Sequence, residues 1–281
     1  MNRILLLLIV FTASCQFAKD EEHRKLDNGV PFQLHQFGEG ESPKKNSYLK
    51  LLLTVEDTLG DTLHYVPNYP YFIKIEETLI DSCLQKFNLG DSISLIIDRK
   101  KVNEKFKFYQ LLQSDQGKVM LNLRILKIFS NKTEMEEAKY KLLSKREVEE
   151  QAALKKYLNK IDKKWDTLDG VYRLIAYQSA DSSLPKIQYG SQISLHYRGR
   201  FLNGYVFDDT YKKKVSPTFV YGQDYQLIEG MHNGLIGLKE SDSMKIIVPS
   251  RRGFGELGSL AGIVPPYTAV IFDVKIKKVS N

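Results

Sequence analysis

Cysteine is scarce in this chain. Cys15 and Cys83 are the two among 281 residues. They sit in unrelated contexts without metal-ligand spacing, so neither a disulfide framework nor a zinc site is expected. An apolar run of membrane-spanning length is missing too, since the stretch at the start, Ile4 to Phe11, has eight residues, too few to cross a bilayer as a helix. No basic stripe with interleaved aromatics is found either. The net charge of +7 comes from 41 basic and 34 acidic side chains with the two signs interspersed, which argues against a nucleic-acid partner. What is present is a globular composition, 42% hydrophobic and 11% aromatic, at a length that suits one large domain or two ordinary ones.

The first residues read as a targeting segment. Met1-Asn2-Arg3 is a short positive region, Ile4 to Phe11 an apolar core, and Thr12-Ala13-Ser14 a small-residue approach to Cys15. Residues 1–14 are therefore expected to be a signal peptide. Phe11-Thr12-Ala13-Ser14-Cys15 resembles a bacterial lipobox, with Thr12 where Leu or Val is commoner. The resemblance implies cleavage before Cys15 and lipidation of its thiol. The partner is then a membrane, held because each buried acyl methylene contributes roughly 0.8 kcal/mol. An ordinary secretory signal that happens to include a cysteine is the other reading. Residues 15–27 read as a polar tether. Gln16 in place of Asp is similar to lipoproteins sent to an outer membrane, and Lys19-Asp20-Glu21-Glu22 is similar to surface-export signals of Bacteroidetes lipoproteins. The implied location is the cell envelope, facing the periplasm or the surface.

Residues 132–165 contain neither Gly nor Pro, and Leu154, Tyr157, Leu158, Ile161 and Trp165 fall at helical spacing. The expectation is a long charged helix spanning a linker (132–168), with Trp165 leaning on the segment that follows; a plain spacer is the blander reading. Strand-length apolar runs recur on both sides: Tyr48–Val55, Tyr71–Ile75, Ser92–Ile97 and Val119–Phe129, then Ile193–Arg200, Thr218–Tyr221, Met244–Val248 and Ala269–Val279. These two sets are related. Phe87-Asn88-Leu89-Gly90-Asp91-Ser92 lies 151 positions before Leu238-Lys239-Glu240-Ser241-Asp242-Ser243, and the same offset carries Val119-Met120-Leu121-Asn122 onto Val270-Ile271-Phe272-Asp273. A constant offset over such a length predicts a duplication.

In the second half the motifs become specific. Ile193-Ser194-Leu195-His196-Tyr197-Arg198-Gly199, Asn203-Gly204-Tyr205-Val206-Phe207-Asp208 and Leu227-Ile228-Glu229-Gly230-Met231 come first; Gly253-Phe254-Gly255 and Ile263-Val264-Pro265-Pro266, followed by Val270-Ile271-Phe272-Asp273-Val274, complete the set. In this order they resemble the FKBP-type peptidyl-prolyl cis/trans isomerases and cover nearly all of 169–281. The resemblance implies an α+β fold: two FKBP-like half-barrels, each a curled antiparallel sheet around a short helix. The first of these (28–131) is degenerate and the second (169–281) is the isomerase domain. It implies X–Pro-containing polypeptides as partners, with no cofactor and no metal. Carried over by position, Tyr197, Phe207, Asp208, Ile228 and Phe272 would be the catalytic set, with the Ile228 N–H binding a peptide carbonyl. Leu227, Met231, Phe254, Ile263 and Val264 would bind substrate. Phe219 would join them at the wall or remain plain core.

Departures from the family pattern accompany this. Met231 replaces a Trp at the pocket floor, Phe254 replaces a Tyr, and Pro217 stands where an aromatic is common. In the first half Leu53, Leu63 and His64 occupy the places of Tyr197, Phe207 and Asp208, so no catalysis is expected there. His64 is expected at the surface or in a cap, and Cys83 as a buried small hydrophobe. Two functions stay open: an envelope foldase with isomerase activity, or a non-catalytic proline-binding module. The latter includes a subunit of an envelope motility or secretion machine, by resemblance to gliding-associated lipoproteins.

Overall fold

The computed structural model describes residues 24–108, 116–161, 164–260 and 262–281. Cys15, the signal segment and most of the tether lie outside them. The first unit contains β1 (Arg24–Lys25), β2 (Pro31–Gln36), β3 (Tyr48–Glu56), β4 (Thr62–Tyr65), β5 (Tyr71–Lys74), α1 (Leu79–Leu84), β6 (Ser92–Asp98), α2 (Arg99–Phe106) and β7 (Lys118–Phe129). A helix, α3 (Lys132–Lys160), follows. The second unit contains β8 (Asp166–Leu168), β9 (Val171–Tyr177), β10 (Gln192–Phe201), β11 (Val206–Asp209), β12 (Thr218–Val220), α4 (Glu229–Leu235), β13 (Ser243–Val248) and β14 (Val270–Ser280). The chain is α+β, as expected. Sheet one begins inside the expected tether, and sheet two begins at Asp166 rather than Asp169.

Strand period decides which residues go inward. In β3, Leu49, Leu51, Leu53 and Val55 are buried while the residues between them are not. They meet Ile93, Leu95 and Ile97 of β6, Val119, Leu121 and Ile125 of β7, and Ile80, Cys83 and Leu84 of α1. A capping box between Thr78 and Asp81 starts α1, satisfying N–H groups that the helix itself leaves open. Burial raises the Cys83 thiol pKa against a hydrogen bond from Asn28.

The duplication is visible in topology. Sheet one runs β1-β2-β6-β7-β3-β4, with β5 also on β3; sheet two runs β8-β9-β13-β14-β10-β11, with β12 also on β10. Strand for strand the order is the same, and all the pairings are antiparallel. A bulge interrupts β3 on β7 between Lys50 and Leu51, and β10 on β14 between Ser194 and Leu195.

The connecting helix differs from expectation in extent and in role. It stops at Lys160; Ile161 is extended and Trp165 lies past the end. Even so, Leu154, Tyr157, Leu158 and Trp165 pack together on Ile247 of β13 and Ile271 of β14, the outer face of the second sheet. An amphipathic stripe therefore makes α3 a layer of the second unit and not a plain spacer.

Candidate functional site

The inner face of the second sheet carries the site. Tyr197 and Gly199 project from β10 on one face, two residues apart, and Gly199 pairs with Asp208 of β11 on one side and Phe272 of β14 on the other. A Cβ at Gly199 would lie 2.7 Å from the Phe207 ring and 3.1 Å from that of Phe272. Its absence lets the two rings meet edge to face at 6.0 Å, with Tyr197 against Phe272 at 5.8 Å. Helix α4 closes the floor. It lies flat on β13 because Gly230 and Gly234 face Val248 and Ile246 with no room for a side chain, and it buries Met231 and Leu235.

These walls enclose a cavity of about 170 Å³. Tyr197, Phe207, Asp208, Ile228 and Phe272 line it, as do Leu227, Met231 and Phe254. Phe219 is at the wall and not merely in the core. Ile263 and Val264 do not line it, contrary to expectation: both their N–H groups donate to Ser259 Oγ, at 3.0 and 2.9 Å, and Val264 turns into the hydrophobic core. Gln226 lines the cavity and carried no motif to announce it. Its Oε1 accepts from Val220 N–H at 2.6 Å, and its amide donates to Gln223.

Asp208 is the cavity's carboxylate. It accepts from the Tyr197 hydroxyl at 2.7 Å and from Lys213 Nζ at 2.6 Å. Burial, followed by the Asp208 contact, holds the Tyr197 phenol well above its ordinary 10.0. Next along the strand, burial works against ionisation of Asp209. The Arg198 guanidinium at 2.8 Å and the N–H groups of Lys212 and Tyr211 outweigh it and hold that carboxyl below 3.8. This turn fixes the approach of Lys213 to Asp208. Ile228, also lining the cavity, is the N-cap of α4, and its N–H meets no acceptor among the described residues. The arrangement offers an apolar slot, one anchored carboxylate and one open backbone donor. No nucleophile–base pair is present among the lining residues.

The corresponding place in the first unit is filled. His64 is buried rather than at the surface: it stacks on Phe108 at 3.8 Å, and its Nε2 lies 2.6 Å from the Tyr71 hydroxyl. Phe106 stacks on Phe108 in turn. Helix α2, which the charged sequence Arg99–Phe106 did not suggest, brings these rings in.

The site is thus a small aromatic cavity between a curled antiparallel sheet and a short glycine-bearing helix. The FKBP-type peptidyl-prolyl cis-trans isomerase profile matches residues 185–277. The FK506-binding protein of Neisseria meningitidis serogroup A is 36% identical over 90 residues, which are 32% of this chain and 81% of that protein. The chain belongs to the FKBP-type peptidyl-prolyl cis-trans isomerase family. Human peptidyl-prolyl cis-trans isomerase FKBP10 is 36% identical over 96 residues, 34% of this chain. The match spans 16% of that longer relative. Among solved structures, FkpA from Escherichia coli is similar with 18% identity and a TM-score of 0.46, covering 53% of this chain and 67% of that one.

Proposed function

We propose that this chain is a peptidyl-prolyl cis/trans isomerase of the cell envelope, acting on X–Pro bonds of exported polypeptides. The observation that carries the reading is the aromatic cavity of 197–272, with Asp208 anchored by Tyr197 and the Ile228 N–H open. The barrier to X–Pro rotation is amide resonance, roughly 18–20 kcal/mol, and it leaves interconversion to tens of seconds or more. A twisted amide is less charge-separated than a planar one. A dry aromatic slot therefore favours it over the ground state, and binding that improves on the way to the transition state is catalysis. In this reading Phe207, Phe272 and Met231 hold the proline ring, Ile228 N–H fixes a peptide carbonyl, and Asp208 keeps the Tyr197 ring in place. A lipid on Cys15 would hold the protein at its membrane.

Proline-limited refolding of a model substrate tests the activity: acceleration is expected, and none at all would overturn it. A module that only captures proline segments is the second reading, supported by Phe254, which offers no hydroxyl at the rim. Peptide binding without acceleration would favour it. For the anchor, fatty-acid labelling in cells should vanish in Cys15→Ala; unchanged labelling would remove it.

A further inference from the structure

Helix α3 lies outside the 185–277 family match, yet two of its side chains hold the loop that carries a wall of the cavity. Glu150 is buried, with 6% of its surface exposed. Its carboxylate accepts from Ser250 N–H at 2.7 Å and from the Ser250 hydroxyl at 2.5 Å, a hundred residues away in sequence. Ser250 opens the short 3-10 turn Ser250–Arg252, and its own carbonyl accepts from both Gly253 and Gly255 N–H, at 2.9 and 2.8 Å. Those two amides bracket Phe254, the cavity-lining ring. One helical turn earlier, Arg146 donates through Nε to the Pro266 carbonyl at 3.0 Å and through a terminal nitrogen to Thr268 Oγ1 at 2.7 Å. Between those partners, Tyr267 N–H bonds the Gly255 carbonyl at 2.9 Å. The Arg146 guanidinium also lies over the Tyr69 ring of the first unit at 5.1 Å, a cation–π contact that backs it.

We propose that Glu150 and Arg146 are positioning residues for the proline pocket. From neighbouring turns of α3 they clamp both roots of the 250–268 loop and so set where Phe254 stands. This rests on the proposed isomerase reading. Surface Glu and Arg on a linker would tolerate exchange, whereas a buried carboxylate with both oxygens engaged is costly to misplace. The first unit takes part through Tyr69, which gives the degenerate copy a stated share in the site.

The test uses the full chain after removal of the signal segment. Glu150→Ala and Arg146→Met are compared with Glu150→Gln, whose amide can still accept from Ser250 N–H and donate to Ser250 Oγ. Expected are a KM for a proline peptide raised about tenfold in Glu150→Ala, the change that about 1.4 kcal/mol of lost positioning produces, a kcat within about twofold and near-complete rescue by Gln. Acting through Phe254, Glu150→Ala should add little in a Phe254→Ala background. Hydrogen exchange of the Gly253 and Gly255 amides should quicken in Glu150→Ala at a temperature where the sheet amides stay protected. Exchange and KM that both stay at wild-type values would overturn the clamp, as would an undiminished Glu150→Ala effect without Phe254. A wild-type protein without isomerase activity would instead sink the proposed function, and the exchange of Gly253 and Gly255 would then decide the clamp alone.

Discussion

Tyr197 and Asp208 meet across β10 and β11, the phenol donating to the carboxylate at 2.7 Å while Lys213 takes its other oxygen at 2.6 Å. The carboxylate thus orients a wall ring. Asp208→Asn keeps an acceptor for the phenol, whereas Asp208→Ala frees it and strips Lys213 of its partner. We expect kcat/KM to fall about tenfold in Asp208→Ala and about two- to threefold in Asp208→Asn, for one hydrogen bond to a charged group lost or weakened. A peptide isomerisation assay on the two variants checks the order.

The same contact sets an alkaline limit. The Tyr197 phenol titrates above its ordinary 10.0 in the folded chain because burial, then Asp208, disfavours phenolate. Burial, then Tyr69, does the same to Tyr71 in the first unit. A folded pKa raised above the unfolded one means that the folded state holds its proton longer. The associated stability is whole below about pH 10 and is lost as pH climbs from there toward the folded value. Thermal melting should therefore be insensitive to these phenols at neutral pH and decline above pH 10. The decline should be shallower in Tyr197→Phe; an equal slope in that variant would count against the assignment.

Gly199 tests the aromatic geometry. An added methyl would stand 2.7 Å from Phe207, so Gly199→Ala must push apart the rings that meet at 6.0 Å. Overpacking of this kind costs about 1–3 kcal/mol. Chemical denaturation should show that loss together with weaker proline-peptide binding. Gly204→Ala, at a position whose added Cβ meets nothing within 4 Å, should lose stability from its positive φ alone and keep binding.

The sheets were legible because their signals are local and repeated. Buried residues at alternate positions of β3 and β7, and the offset of 151 between Asp91 and Asp242, both survive into the structure. Asp91 accepts from Asn88 and Gly38 N–H, and Asp242 from Lys239 and Ser179 N–H, closing the same turn twice. What escaped was carried by contacts rather than by pattern. Glu150 sits in a charged helical stretch and its partner Ser250 is a hundred residues away, while Gln226, held by nearby Val220 and Gln223, belongs to none of the motifs. Helix α2 has Val102 and Asn103 as its buried residues, too little periodicity to show. His64 looked like a surface residue because nothing near it in sequence foretells the Phe108 ring against it.

That ring fills the place in the first unit that corresponds to the cavity of the second. Phe108 is buried, stacks on His64 and Phe106, and meets Tyr71 edge-on at 5.5 Å. Phe108→Ala should cost about 3–5 kcal/mol through the space it empties, read by denaturation of residues 24–131. It should create no proline-isomerase activity, because Leu53 and Leu63 supply no phenol and no aromatic wall.

Ile247 and Ile271 are fully buried on the outer face of the second sheet, and Leu154 of α3 covers them. At the positions 151 earlier, Ile96 and Met120 are only half-buried, so a sheet of this type does not need the cover in order to form. In the second unit, however, the corresponding Ile247 and Ile271 are covered completely. Leu154→Ala should cost about 2–5 kcal/mol. A fragment of residues 164–281 should unfold at clearly lower denaturant than one of residues 132–281, and should associate through the uncovered face. Equal midpoints for the two fragments would show that α3 merely rests on the sheet, and the family-matched segment would then be the whole stable unit.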